Sequence, residues 1–194
     1  MEGDKQKGHG RRRRQWRIAA WSAAALVLLL PLIAMQLTDE VNWTPFDFLF
    51  AGALLVSVGV AFELTVRKTR NNAYRAGVGI ALAAAFLLIW LNGAVGIIGS
   101  EDNPLNMMYV GVLAVAIVGA LVARFQGEGM ARAMFATALA QAVVTAIALA
   151  AGFGSSWWDL ARTVLLNGFF ATLWAGSALL FQMAANGQAP RDGA

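Results

Sequence analysis

Six apolar stretches, divided by short polar segments, run along the chain at 18–36, 46–66, 76–98, 107–123, 133–153 and 163–183. Each holds 17 to 23 residues, close to the ~20 helical residues that cross the hydrocarbon core of a bilayer. The runs are continuously apolar and lack the polar alternation of a membrane barrel strand, so they predict helices. The third, reading Ala-Gly-Val-Gly-Ile-Ala-Leu-Ala-Ala-Ala-Phe-Leu-Leu-Ile-Trp over 76–90, is too long and too rich in Ala and Leu for a buried strand. The expected fold is all-α: a polytopic membrane protein of six transmembrane helices. A basic tail at 1–17 precedes the bundle at 18–183, and a second tail follows at 184–194.

Composition turns this pattern into an exclusion. Hydrophobic residues make up 59% of the 194 and charged residues 13%, against about 25% charged in an ordinary soluble domain. A mean hydropathy of +0.60 is incompatible with a water-soluble globule, because a chain of this size must show water a large surface. Soluble globular, disordered and fibrous classes are excluded.

Charge supplies the direction. With the N-terminus cytoplasmic, the segments 1–17, 67–75, 124–132 and 184–194 face inward and hold all but one of the 15 lysines and arginines. Arg162 is the exception. Asp39, Glu40, Asp47, Glu101, Asp102 and Asp159 fall in the outer loops. This asymmetry is the positive-inside pattern, and two cytoplasmic termini require an even number of spans. The first run has the outline of a signal peptide. It is long for a signal core, and Ala34-Met35-Gln36 makes a poor cleavage site, so a retained anchor is expected. The Arg11–Arg14 run abuts a membrane helix without a folded reading module. Attraction to anionic lipids explains it better than nucleic-acid binding.

Laying the expected hairpins over one another reveals self-similarity. Arg17, Arg75 and Arg132 begin the inward-rooted spans at nearly equal intervals, and the returning spans carry Gly52, Gly111 and Gly168, then Gly59, Gly119 and Gly176. Helix starts recur as well, at Thr44-Pro45-Phe46-Asp47, Asn103-Pro104-Leu105-Asn106 and Ser156-Trp157-Trp158-Asp159. Each sets a capping residue three before a polar acceptor, and two add proline at the first helical position. Three tandem two-helix hairpins in one orientation are the expected arrangement. The plainer account is that Ala/Gly-rich membrane helices align with almost anything. Gly168, Thr172 and Gly176 form a small-residue ladder suited either to internal packing or to a partner.

Few residues here bear chemistry. There are no cysteines and the single histidine, His9, lies in the polar tail, so thiol and imidazole catalysis and their metal sites are not expected. No phosphate loop, nucleophile–base set or zinc-protease helix is visible; no enzyme activity, metal or cofactor is expected. Apart from Asp47 at the very start of the second run, Glu63 is the one acidic residue inside a run. An ionisable group there suggests an ion or proton site, but Arg67 stands four residues on, the spacing of a helical ion pair. Asn92 precedes Gly93, Gly96 and Gly99, which weaken the helix end, and Glu101 and Asp102 follow. Oxygen ligands at a loosened helix end suit a hard cation; a capped turn with solvated acids is the plainer reading. Gln141, Thr145, Asn167 and Gln182 read as scattered interhelical hydrogen-bonding positions. Trp16, Trp21, Trp43, Trp157 and Trp158 sit where indole rings anchor at headgroup depth.

The stretch Trp90-x-Asn92-x-Ala94-Val95-Gly96-Ile97-Ile98-Gly99-Ser100-Glu101-Asp102-Asn103-Pro104-x-Asn106, with Tyr74-Arg75-Ala76 and Gly129-Met130-Ala131-Arg132-Ala133, resembles a family of small bacterial six-span inner-membrane proteins of uncharacterised role. The resemblance covers about residues 15–185 and implies a bacterial cytoplasmic-membrane location, without a substrate or catalytic residue. Two function classes follow. One is a non-enzymatic membrane component that assembles with a membrane protein partner or as a homo-oligomer. The other is a small cation or proton transporter or channel using Asn92, Glu101, Asp102 and Glu63.

Overall fold

The computed structural model describes residues 18, 21–22, 24–38, 41–100, 102–153 and 156–187. The basic tail, the segment 188–194, Asp39, Glu40 and the candidate site residue Glu101 lie outside the described residues. Among those described the chain is all-helical. The helices are α1 (Ala24–Leu37), α2 (Pro45–Lys68), α3 (Asn72–Ala94), α4 (Met108–Val122), α5 (Gly127–Ala150) and α6 (Trp157–Asn186). A single 3-10 turn, Pro104–Met107, leads into α4. α2, α3, α5, α6, and α4 together with its 3-10 turn are long and apolar enough to cross a membrane; α1 is shorter over the described residues.

Hydropathy marks the apolar middle of each helix, and side-chain caps mark the ends. At α2 the Asp47 carboxylate accepts from the Thr44 amide and hydroxyl at 2.7 and 2.8 Å, closing a reciprocal box with Pro45 at the first position. Asn103 Oδ1 accepts from the Leu105 amide, and Ser156 Oγ from the Asp159 amide at 3.1 Å. The fourth cap was not anticipated. Asn71 accepts from the Tyr74 amide at 3.0 Å, so α3 starts at Asn72, inside what reads in sequence as a polar loop. At its other end α3 stops at Ala94 rather than running on to Ile98. Gly96 and Gly99 then take left-handed conformations, φ 64° and 68°, that end a helix.

The chain divides within α2 into two units, Met1–Ala61 and Phe62–Ala194. In the first, α1 lies on α2. A Cβ added at Gly52 would stand 3.9 Å from Leu28 Cδ1, and one at Gly59 would stand 2.9 Å from the Trp21 ring. Trp21, expected at headgroup depth, covers a glycine.

In the second unit α6 is the central element, packed along α5 on one side and α3 on another, while α4 packs on α5. α3 and α4 are neighbours in sequence but meet only sparsely. The inward stripe of α6 is Thr163, Asn167, Phe170, Trp174, Ser177, Phe181 and Ala184, at alternating spacings of three and four. Its polarity runs opposite to that of a soluble bundle. Thr137, Gln141, Asn167 and Ser177 are fully buried, while Ile117, Leu121, Val122, Phe135, Leu139, Leu165 and Leu179 are more than half exposed. Such a surface fits hydrocarbon, and the chain is read as a multi-pass membrane protein. Lipid gives no hydrophobic drive between helices, so close backbone approach and interhelical hydrogen bonds hold the bundle.

The α4–α5 turn provides the closest approach. Arg124 and Phe125 adopt φ of 47° and 58°, an uncommon conformation for residues with side chains. The Phe125 carbonyl accepts the Tyr74 hydroxyl from α3, holding the turn from outside. The turn folds α5 back so tightly that a Cβ on Gly119 would be 2.7 Å from Ala133 Cβ, and one on Gly129 2.7 Å from Ala123 Cβ.

Candidate functional site

The expected cation site centres on the segment joining α3 to the 3-10 turn, and the side chain of Asn106 organises that segment. Its Oδ1 accepts from the Ile98 amide at 3.0 Å and its Nδ2 donates to the Ser100 carbonyl at 2.7 Å. The Asn92 Nδ2 donates to the Asn106 carbonyl at 3.4 Å. Asn106 was expected only as an acceptor in the Asn103 cap; instead its buried carboxamide ties the segment down. Ile97 and Ile98 are fully buried beneath it. Asn92 Oδ1 is buried without a partner, and Asp102 is exposed. Glu63 is not brought to them. It pairs with Arg67 at 3.2 Å, beside the α2–α3 turn, whereas Asn92 stands at the far end of α3. Among the described residues no group of three or more His, Asp or Glu is placed to hold a metal.

Asn106→Ala is expected to free the segment. Losing two side-chain bonds costs about 2 kcal/mol, so exchange of the Ile98 amide should accelerate more than about tenfold. Unchanged protection at Ile98 would show that the segment is held otherwise.

Arg162, the single basic residue on the acidic side in sequence, has a structural partner. From the second turn of α6 its Nη2 donates to the carbonyls of Gly96 at 2.8 Å and Val95 at 3.3 Å, the groups that α3 leaves unpaired where it ends. Beside this clamp lies an open pocket of about 320 Å³. Its walls are Ile97 and Gly99 from the segment, Gly152 and Phe153 after α5, and Asp159, Arg162 and Thr163 from α6.

One turn below Thr163, three helices meet in a polar cluster. Asn167 Oδ1 accepts from the Tyr109 hydroxyl of α4 at 2.9 Å and from Gln141 Nε2 of α5 at 2.8 Å, while its Nδ2 donates to the Thr163 carbonyl at 2.9 Å. The Thr163 carbonyl can only accept, so the Asn167 NH₂ must face it and Oδ1 must face the other helices. Both neighbours must then donate, which turns Gln141 Oε1 away from Asn167. That oxygen is buried and has no protein partner; an acceptor left dry in this way would cost about 1–3 kcal/mol. Toward the other end, the Ser177 hydroxyl donates to the Gly77 carbonyl at 2.8 Å and Asn71 Nδ2 to the Ala184 carbonyl at 3.3 Å, tying α6 to α3.

In sequence Gln141 and Asn167 look like isolated polar positions; the structure brings them together with Tyr109. Their signal was register. They lie equally far from residue 154 in the α5–α6 connection, which sets them level on two antiparallel helices. The cluster consists of two side-chain amides, a phenol and a backbone carbonyl, groups that bind hydrogen-bonding species without net charge. Comparison with protein families, curated proteins and solved structures finds no match to the chain.

Proposed function

We propose that the chain is a non-enzymatic component of a bacterial cytoplasmic membrane. In this reading it crosses the membrane six times as three tandem hairpins with both termini cytoplasmic, its basic tail lies on anionic lipid, and it assembles with another membrane protein or with itself. The observation that carries the reading is the use made of the polar groups between the helices. The Tyr109–Asn167–Gln141 cluster, the Ser177–Gly77 bond and the Asn71–Ala184 bond are ties between helices. None sets a nucleophile beside a base.

Within this frame the glycines separate. Gly119 and Gly129 are closed by alanines, while Gly111, Gly168 and Gly176 have open space where a Cβ would stand. The test is aimed at the open ones. Gly168→Leu with Gly176→Leu is expected to abolish association in mild detergent while helical content and Tm hold. Association at the wild-type level would overturn the assembly reading.

The alternative, a cation or proton pathway past Asn92, Glu101 and Asp102, has the unpartnered Asn92 Oδ1 in its favour. Proton, Na⁺ or K⁺ flux in proteoliposomes that disappears in Glu101→Gln/Asp102→Asn would replace the first reading with this one.

A further inference from the structure

We propose that the pocket at the N-terminal end of α6 is the mouth of a one-sided water inlet, and that a water molecule binds Gln141 Oε1 at its inner end. The inlet follows one face of α6. Asp159, Thr163 and Asn167 stand four residues apart, each a turn below the last. The first two line the pocket. The third is bonded to the Thr163 carbonyl and to Gln141. A pocket of about 320 Å³ has room for several waters, which places solvent against the wall that Thr163, itself buried, helps to form.

The inner end offers the polar partners that a bound water needs. Gln141 Oε1 is an acceptor with no protein donor, fixed in that orientation by the amide network. The Tyr109 hydroxyl, which gives its proton to Asn167, keeps lone pairs for a second contact. A small polar void with two or more polar neighbours takes water, whereas an apolar one stays dry. The site also selects against ions. Tyr109, Gln141, Asn167 and Thr163 carry no charge, so a cation would lose its hydration shell without a counter-charge. The pocket presents one residue of each sign, Asp159 and Arg162. Below the cluster the face of α6 is closed by Phe170, Trp174 and Phe181, all buried to within 1%. Water therefore enters from one side and does not cross.

The experiment is magnetisation transfer from water to isotope-labelled full-length protein in phospholipid nanodiscs, read by solid-state NMR. Transfer to the Gln141 side-chain amide should rise early, with that of Thr163, and well ahead of the fully buried Leu88. Thr163→Val, nearly isosteric but without the hydroxyl, should slow transfer to Gln141 about threefold, the factor for one intramembrane hydrogen bond. Thr163→Ser should restore it. Transfer to wild-type Gln141 as slow as to Leu88 would overturn the water site. Equal transfer in the valine and serine variants would overturn the route. Neither outcome depends on whether the chain assembles with a partner.

Discussion

Asn167→Leu is expected to destabilise the α3–α6 bundle by about 2–4 kcal/mol. Three hydrogen bonds converge on this side chain. Each intramembrane bond is worth about 0.6 kcal/mol on average and up to about 1.7. Leucine also strands the Tyr109 hydroxyl and the Gln141 amide, two buried donors that lipid cannot serve. Gln141→Leu alone should cost about 1 kcal/mol or less, because it removes one bond between side chains together with an Oε1 that no protein donor serves. The double variant separates these contributions. With both amides gone, Gln141 no longer has a donor to strand, so its cost should fall below the sum of the singles by about 0.5 kcal/mol or more. Unfolding in mixed micelles measures all three variants. Strict additivity would mean that the amides do not act through each other.

Gly119→Ala is the second large effect, and here two tendencies oppose each other. Alanine in place of a mid-helix glycine favours a helix by about 1 kcal/mol. The new Cβ, however, would stand 2.7 Å from Ala133 Cβ and 3.3 Å from Ala133 Cα. Neither is the end of a flexible side chain, so α4 and α5 must move apart. Overpacking of this kind costs about 1–3 kcal/mol, and the separation also loosens the contact on which α4 depends most. A net loss is expected for Gly119→Ala and a much larger one for Gly119→Leu. Gly111, on the same helix, has nothing near its missing Cβ, and Gly111→Ala should be neutral or slightly stabilising. Equal effects at the two glycines, read as Tm in detergent, would contradict the packing described for α4 and α5.

These two sites also show what the sequence carried. Hydropathy located helices because a continuous apolar run of about 20 residues has few other uses. Caps at Thr44, Asn103 and Ser156 were legible because a short polar side chain at the mouth of an apolar run has a defined backbone partner two or three residues on. Asn71 escaped since it follows a run of basic residues that reads as loop. The Gly119–Ala133 contact and the Gln141–Asn167 bond both follow from register about a hairpin turn, a signal that periodicity along one helix does not contain. Tyr109 reaches Asn167 through tertiary packing, with no sequence spacing to announce it.

The positions that align as an expected repeat in sequence do not make equal contacts. Gly52 stands by Leu28, whereas Gly111 and Gly168, its counterparts, are open; Gly119 is closed by Ala133, and Gly176 is open. In the expected cation site, the glycine-weakened end of α3 was legible and Asn106's hold on the following segment was not. A carboxamide with two donors and two acceptor lone pairs leaves its choice of partners to the fold.

The central claim is that this chain works by assembling in the membrane, and its mass in mild detergent tests that most directly. The tagged protein, drawn from its own membrane and weighed intact by native mass spectrometry, is expected in a defined complex heavier than its own 20.6 kDa, with a stoichiometric partner or further copies of itself. A single species at 20.6 kDa, with helices intact, would contradict the account.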